Sequence, residues 1–233
     1  MLTEIVHSSA PVTLVGGGDI APTDLETALA LAPFLVAADG GAGAILRAGH
    51  VPRAVIGDFD SLSTTDRAAL PPEVLHPIAE QDSTDFDKAL RNIAAPVVLA
   101  VGFLGGRLDH QLAGFSTLLR FPDRPCVMIG ASELVFHAPP RLELTMDKGA
   151  LVSLYPMQPV SGRSQGLHWP IDGLRLEPGG RIGTSNRSTG PITLEADTPG
   201  LLVVLPKPCL PQVTQALAAL PQTWPAQWPA PAR

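Results

Sequence analysis

Short apolar runs alternate with segments of helical spacing as far as Ala138, and beyond it short strand-like runs recur between turns. The first half predicts strands at Val12–Val15, Phe34–Ala38, Ala54–Ile56, Val97–Val101 and Cys126–Ile129. Val97–Val101 is apolar throughout, which suits a parallel strand buried on both faces. Between these strands lie predicted helices. One opens with a capping box at Thr23-Asp24-Leu25-Glu26 and runs to Leu31. A second spans Ala42–Ala48 and stops at Gly49, and a third is capped by Ser63. A fourth follows Asp82, with Phe86, Leu90 and Ile93 at i, i+4, i+7 on its inner face. A fifth places Leu108, Leu112, Phe115 and Leu119 inward.

Ala138-Pro139-Pro140 breaks this alternation. Runs at Leu142–Met146, Leu151–Tyr155, Gly173–Leu176, Arg181–Thr184, Ile192–Glu195 and Leu201–Leu205 predict a small all-β domain. The expected class is α/β: a parallel-sheet, Rossmann-like domain over residues 1–138, a β-sandwich or barrel-like domain over 141–220, and a Pro/Trp-rich tail over 221–233.

Of the 233 residues, 45% are hydrophobic and 16% charged, which is a folding composition. The net charge of −6 and the lack of a Lys/Arg run argue against nucleic acid and an anionic membrane surface. No apolar run is long enough to span a bilayer. Met1–Ala10 holds Glu4 and His7 and no apolar stretch, so no secretory signal is expected. Cys126 and Cys209 read as thiols in a reducing compartment, and the expected location is the cytoplasm.

The acidic residues fall in a pattern. Asp39, Asp58 and Asp60 follow predicted strands, Asp85 opens a helix, and Asp109 follows Gly105-Gly106-Arg107. In a parallel α/β sheet these positions converge on the carboxyl edge, where ligands bind. A pair of carboxylates at ~4 Å repels by about 4 kcal/mol at an effective dielectric near 20. A gathered set therefore calls for a cation, and oxygen ligands without a His or Cys cluster favour Mg²⁺, the usual partner of nucleotide phosphates. Gly17 and Gly18, Gly40 and Gly41, and Gly105 and Gly106 let backbone N–H groups approach phosphate oxygens. Arg107 and Lys88 supply positive charge. His110 is a candidate for substrate binding, Trp169 for stacking on a flat ring, and Ser185 with Asn186 for hydrogen bonds to an amino-heterocycle. The phosphate-loop, dinucleotide, zincin and hydrolase-elbow signatures are all missing.

Taken together, Ala38-Asp39-Gly40-Gly41-Ala42, Ile56-Gly57-Asp58-Phe59-Asp60-Ser61, Asp82-Ser83-Thr84-Asp85-Phe86-Asp87-Lys88-Ala89-Leu90, Gly105-Gly106-Arg107-Leu108-Asp109-His110 and Gly183-Thr184-Ser185-Asn186 resemble the thiamine pyrophosphokinase family. The resemblance implies a homodimer that transfers a pyrophosphoryl group from ATP to the hydroxyethyl group of thiamine, giving thiamine diphosphate and AMP. It implies that Asp58, Asp60, Asp85 and Asp109 hold metal and phosphate, that Asp39, Lys88 and Arg107 lie with the nucleotide, and that Ser185 and Asn186 meet thiamine. Gly43 and Gly114 stand where the family often has asparagine. The other readings are a pyrophosphokinase for a pterin-like hydroxymethyl heterocycle and a nucleotide- or thiamine-binding regulator without turnover.

Overall fold

The computed structural model describes residues 4–226, and these divide into two compact units, residues 4–117 with 128–131, and 118–127 with 132–226. In chain order the strands are β1 (Val6–His7), β2 (Val12–Val15), β3 (Phe34–Ala38), β4 (Ala54–Gly57), β5 (Leu75–Pro77), β6 (Ile93–Ala94), β7 (Val98–Val101), β8 (Cys126–Ile129), β9 (Glu133–His137), β10 (Arg141–Leu144), β11 (Leu151–Pro156), β12 (Val160–Leu167), β13 (Arg175–Leu176), β14 (Gly183–Ala196) and β15 (Leu201–Pro206). The α-helices are α1 (Pro22–Leu31), α2 (Gly41–Arg47), α3 (Thr64–Ala68), α4 (Asp85–Arg91), α5 (Leu108–Arg120) and α6 (Leu210–Ala218).

The first unit is built on parallel strands in the order β7-β2-β3-β4-β5. β2, β4 and β7 are buried along their whole length, as the continuous apolar runs require of strands covered on both faces. Val15, Leu35, Ala37 and Val55 pack with Leu25 of α1 and with Ala42 and Ile45 of α2. The one polar core position on β2, Thr13, donates to the Ala32 carbonyl at 2.7 Å. Ser63 caps α3 as its sequence predicts, accepting from the Asp66 N–H at 3.0 Å.

Three helical expectations change. α1 starts at Pro22, with Ala21 as an N-cap that makes no side-chain bond, so the capping box at Thr23 does not form. Proline's fixed φ is enough to start a helix at its first position. Ile93 lies beyond α4, which ends at Arg91, and pairs instead with Val6 between β6 and β1. On α5 the buried positions are Gly114, Thr117 and Leu118, while Leu108 is 68% and Leu112 53% exposed.

The second unit is antiparallel, in the order β9-β15-β11-β14-β12-β13, with β10 also on β14. The two strands predicted at 181–184 and 192–195 are one strand, β14, of 14 residues. Its first part pairs with β11 up to Arg187, and from Ser188 onward it pairs with β12 and β10. Gly190-Pro191 sits in that second part, inside a bulge of β14 between Ser188 and Thr193 that faces Gly166 of β12, where the missing proline N–H is tolerated. β9, β12 and α6 were not expected from the sequence. In the expected tail, Trp224 donates its indole N–H to the Ala138 carbonyl at 2.8 Å, and residues 227–233 lie outside the described residues.

His137, at the end of β9, accepts a 2.8 Å hydrogen bond from the Gly200 N–H through Nε2. Burial lowers its pKa from the usual imidazole value to about 4. The unfolded chain therefore takes up this proton before the folded one does, and the stability is lost as pH falls from about 6.5 to about 4. His137→Gln should flatten that acid arm of the melting-temperature profile by an amount on the order of 3 kcal/mol. An unchanged profile would show that His137 carries no such linkage.

Candidate functional site

The carboxyl ends of β2, β3, β4 and β7 open into a cleft of about 620 Å³ within the first unit. Three of its acidic residues come from chain reversals after strands. Asp39 follows β3 in the left-handed region (φ 41°), and Phe59, between Asp58 and Asp60, is left-handed as well (φ 67°). Aspartate tolerates that region better than most residues, and Phe59 is held there by its N–H bond to Asp39 Oδ2 at 2.8 Å. A Cβ on Gly57 would stand 2.8 Å from the Asp39 Cβ, so only glycine admits the Asp39 side chain at this point. Asp85 and Lys88 come from the first turn and the middle of α4, which Thr84 caps by accepting from the Asp87 N–H at 3.2 Å.

Asp39, Asp58, Asp60 and Asp85 each place a carboxylate oxygen within 4.8 Å of the others. Lys88 runs beneath them, 2% exposed, with Nζ 2.6 Å from Asp58 Oδ2 and 3.3 Å from Asp85 Oδ1. Gln81 Nε2 donates to the same Asp58 oxygen at 3.1 Å, and Ser61 Oγ donates to Asp60 Oδ1 at 2.9 Å. The hydrogen bond from Lys88 brings Asp58 down to about 2. Burial pulls Lys88 downward, but its bonds to Asp58 and Asp85 prevail and hold it above the usual ammonium value. Burial, and then the charge of Asp85, push Asp39 up to about 6, and burial raises Asp85 against the pull of Lys88. Among the described residues Asp39 Oδ1 is a buried acceptor without a hydrogen-bond partner. The set has oxygen donors only, one orphaned buried oxygen, and more negative charge than Lys88 balances. That donor chemistry fits a hard divalent cation such as Mg²⁺.

Asp109, expected with the metal set, does not join the four. It is 64% exposed on its side chain and forms a two-point pair with Arg107, Nε to Oδ1 at 3.1 Å and Nη2 to Oδ2 at 2.5 Å. Asp39, expected with the nucleotide, lines the same cleft and also belongs to the acidic cluster. Gly17, Gly18, Gly40, Gly105, Gly106, Arg107 and His110 all line the cleft. Gly41 does not. A Cβ there would stand 2.0 Å from the Val15 carbonyl oxygen, so its bareness lets α2 approach β2. A side chain at Gly43 would meet Asp66 Oδ2 at 2.8 Å and Arg47, and Gly43 does not line the cleft, so an asparagine lost there removes no cleft contact. Gly114 does line it, with Met128 Cε 2.6 Å from where a Cβ would stand.

In the second unit, Asn186 is 4% exposed and its amide is used internally. Its Oδ1 accepts from the N–H groups of Trp169 (3.1 Å) and Arg187 (2.8 Å), and its Nδ2 donates to the Trp169 carbonyl at 2.7 Å. The amide thus grips both polar groups of the Trp169 backbone, while the Trp169 ring is 56% exposed and meets His168 edge-on. Ser185 is exposed and left-handed (φ 62°), its N–H donating to Ser153 Oγ at 2.9 Å. Asn186→Ala should cost about 1–3 kcal/mol and alter Trp169 emission in a background lacking Trp224 and Trp228. Parent-like emission and stability would mean that the grip does not order the loop.

Several cleft residues escaped the sequence reading: Asp19, Gln81, Ser83 and the stacked pair Phe86–Phe103, whose rings lie 4.3 Å apart. Ser83 lies in a string already singled out and Gln81 just before it, but nothing in spacing alone marks a neutral side chain as facing a cleft.

The family description "Thiamin pyrophosphokinase, catalytic domain" matches residues 25–129, and "Thiamin pyrophosphokinase, vitamin B1 binding domain" matches residues 139–201. Thiamine pyrophosphokinase 1 of Arabidopsis thaliana is 29% identical over 173 residues, 66% of this chain and just under two thirds (65%) of that protein. Thiamin pyrophosphokinase 1 of Caenorhabditis elegans is 29% identical over 182 residues, 68% of this chain and 72% of that protein. Among solved structures, the thiamin pyrophosphokinase of Geobacillus thermodenitrificans is similar at TM-score 0.68 and 26% identity, covering 84% of this chain and 96% of that one. The Candida albicans enzyme, at TM-score 0.71 and 16% identity, shares the fold over 86% of this chain and 93% of its own. With both of its family segments matched in order, this chain belongs to the thiamine pyrophosphokinase family.

Proposed function

We propose that this chain transfers a pyrophosphoryl group from ATP to the hydroxyethyl oxygen of thiamine, releasing AMP and thiamine diphosphate. The observation that carries the reading is the gathering of Asp39, Asp58, Asp60 and Asp85 around Lys88 in a glycine-rimmed cleft, in a chain of this family. Asp39, Asp58, Asp60 and Asp85 would hold Mg²⁺, which when bound offsets the charge of the phosphate oxygens. Gly17, Gly18, Gly40, Gly105 and Gly106 offer backbone N–H groups to the phosphates, and exposed Arg107 is drawn off Asp109 onto the nucleotide.

The thiamine hydroxyl attacks the β-phosphorus. A new oxygen–phosphorus bond forms as the bond to the α-phosphate bridging oxygen breaks, and AMP carries away that electron pair. The hydroxyl proton passes to a carboxylate of the cluster, Asp60 or Asp85. Lys88 does not reach for phosphate in this reading. It is committed to Asp58 and Asp85 and sets the spacing of the carboxylates. Positioning of the two reactants supplies more of the rate than proton transfer, which contributes about 10²–10⁴-fold.

The remaining roles follow the same reading. Residues 1–138 form a Rossmann-like catalytic domain, and residues 141–220 form a β-sandwich that presents Trp169 and Ser185 to thiamine, with Asn186 holding the Trp169 loop from within. The chain acts in the cytoplasm as a homodimer, and the exposed leucines of α5 support a contact between copies. The test is AMP release by purified protein with ATP, Mg²⁺ and thiamine, with thiamine omitted as control. Thiamine-dependent AMP with thiamine diphosphate as co-product is expected. ATP consumption indifferent to thiamine would move the reading to another hydroxymethyl acceptor, and binding without turnover would make the chain a regulator.

A further inference from the structure

Glu80 and Arg91 do not line the cleft, and no sequence motif singled them out. The structure assigns them a positioning role: they form a clamp that holds the segment between β5 and α4 so that Gln81 and Ser83 face the reacting centre. This rests on the reading of the Asp58 cluster as that centre.

The segment has two anchors. At its start, the Ile78 N–H donates to the Gly57 carbonyl at 2.7 Å, next to Asp58. At its end, one carboxylate gathers three donors. Glu80 Oε2 accepts from the Asp82 N–H at 2.9 Å, and Oε1 accepts from Ser83 Oγ and from Arg91 Nη2, the latter at 2.7 Å. Arg91 Nη1 also donates to Ser83 Oγ at 3.3 Å, which closes a ring of side chains. The loop between these anchors has only a few residues, so fixing residues 80, 82 and 83 also fixes Gln81. Its amide then reaches Asp58 Oδ2, the oxygen that holds Lys88.

The clamp also ties the helix to the loop. Asp85, Lys88 and Arg91 follow one another at i, i+3 and i+6 on α4, so Arg91 sits on the stripe that carries the two cluster residues. Glu80 and Arg91 are each about one-third exposed, at 33% and 32%. A pair so open to water adds little to global stability. Its three- and four-way geometry instead specifies where a short segment lies. Glu80 is held below the usual carboxylate value, its donors from Ser83, Arg91 and Asp82 outweighing burial.

The test compares the parent chain with Glu80→Ala, Arg91→Ala, the double variant, Gln81→Ala, and Gln81→Ala combined with Glu80→Ala. Thiamine diphosphate formation, melting temperature and backbone amide exchange over residues 78–84 are read for each. Each clamp variant should lower kcat/KM by about 10–100-fold, the loss expected of a misplaced reacting geometry. The melting temperature should move by no more than about 4 °C. The Asp82 amide should exchange faster in Glu80→Ala. The clamp works as one unit, so the double variant should lie within about twofold of the worse single one. Gln81→Ala should cost activity in the parent and almost nothing further in Glu80→Ala. Arg91→Lys, which keeps the charge without the two-point fork, should restore part of the rate.

Clamp variants within about twofold of the parent, or a full additional loss from Gln81→Ala in the Glu80→Ala background, would overturn the assignment. A parent chain that makes no thiamine diphosphate would overturn the reading of the site instead. The exchange of the Asp82 amide would then decide the clamp by itself, with parent-like protection in Glu80→Ala counting against it.

Discussion

Asp58→Asn should lower turnover by about 10³-fold and also destabilise the fold, because Asp58 serves two functions at once. Its carboxylate belongs to the acidic cluster, and one of its oxygens lies 2.6 Å from a lysine that is 2% exposed. Removing the charge leaves Lys88 with only the longer Asp85 contact at 3.3 Å. Breaking a buried pair costs about 3–5 kcal/mol when nothing remains, so about 3 kcal/mol is expected here. The pH dependence has a definite sign. Asp58 is brought down to about 2 by the Lys88 hydrogen bond, so its contribution is present above about pH 4 and lost as pH falls toward 2. The variant should lack that acid arm.

Asp85→Asn gives the contrast. It leaves the 2.6 Å pair intact, so it should lose activity to a similar degree with a smaller loss of stability. Adding Lys88→Met to Asp58→Asn should recover stability and no activity, since an apolar side chain in that place needs no counter-charge. Melting curves and the AMP assay check all three. An Asp58→Asn chain as stable as the parent would show that Lys88 draws its support from elsewhere.

Strands β2, β3, β4, β7 and β8 were legible because their burial is simple, whereas the short β1, β5 and β6 were not expected. An apolar run covered on both faces reads the same in sequence and in structure, and β3 and β8 have the expected ends. The convergence of Asp39, Asp58, Asp60 and Asp85 was legible for a topological reason, since chain reversals after parallel strands all lie at one edge. Asp109 stands apart from these four, and the reason is a local partner that spacing alone does not reveal. Arg107, two residues away, takes its carboxylate before any longer-range contact can. On α5 the heptad-like leucines pointed to a buried face, yet Leu108 and Leu112 are exposed and Gly114 is buried. Periodicity identifies a stripe without identifying what covers it. β14 reads as two strands in sequence because polar residues separate its two apolar runs, and only the partner strand shows that the chain continues through Gly190-Pro191, with the proline where a bulge makes its N–H unnecessary. In sequence Asn186 suggests a ligand contact because its amide is rich in hydrogen-bonding groups, which are the same groups that grip Trp169.

Asp39→Asn should have the opposite effect on stability to Asp58→Asn while sharing its loss of activity. Asp39 is 1% exposed, keeps one oxygen without a partner, and faces other carboxylates in place of a lysine. Burial and the charge of Asp85 raise it to about 6. A carboxyl that ionises at about 4 in the unfolded chain and about 6 in the folded one binds its proton more tightly when folded. Its charge therefore opposes folding by on the order of 2–3 kcal/mol at pH 7, and that penalty fades as pH falls through 6 toward 4. Asparagine keeps an oxygen for the Phe59 N–H, tolerates the left-handed backbone at φ 41°, and brings N–H donors to its acidic neighbours. In a chelator the variant should melt above the parent at pH 7–8, and the two curves should meet near pH 4. Added Mg²⁺ should stabilise the parent, as any ligand that binds only the folded state does, and should leave the variant unmoved. A variant that melts below the parent at pH 7, or a gain that persists unchanged at pH 4, would mean that the cluster is not held together against its own charge. The expected result gives Asp39 a place in the fold that only a bound cation makes favourable: a carboxylate that weakens the empty protein and is kept for what the filled site does.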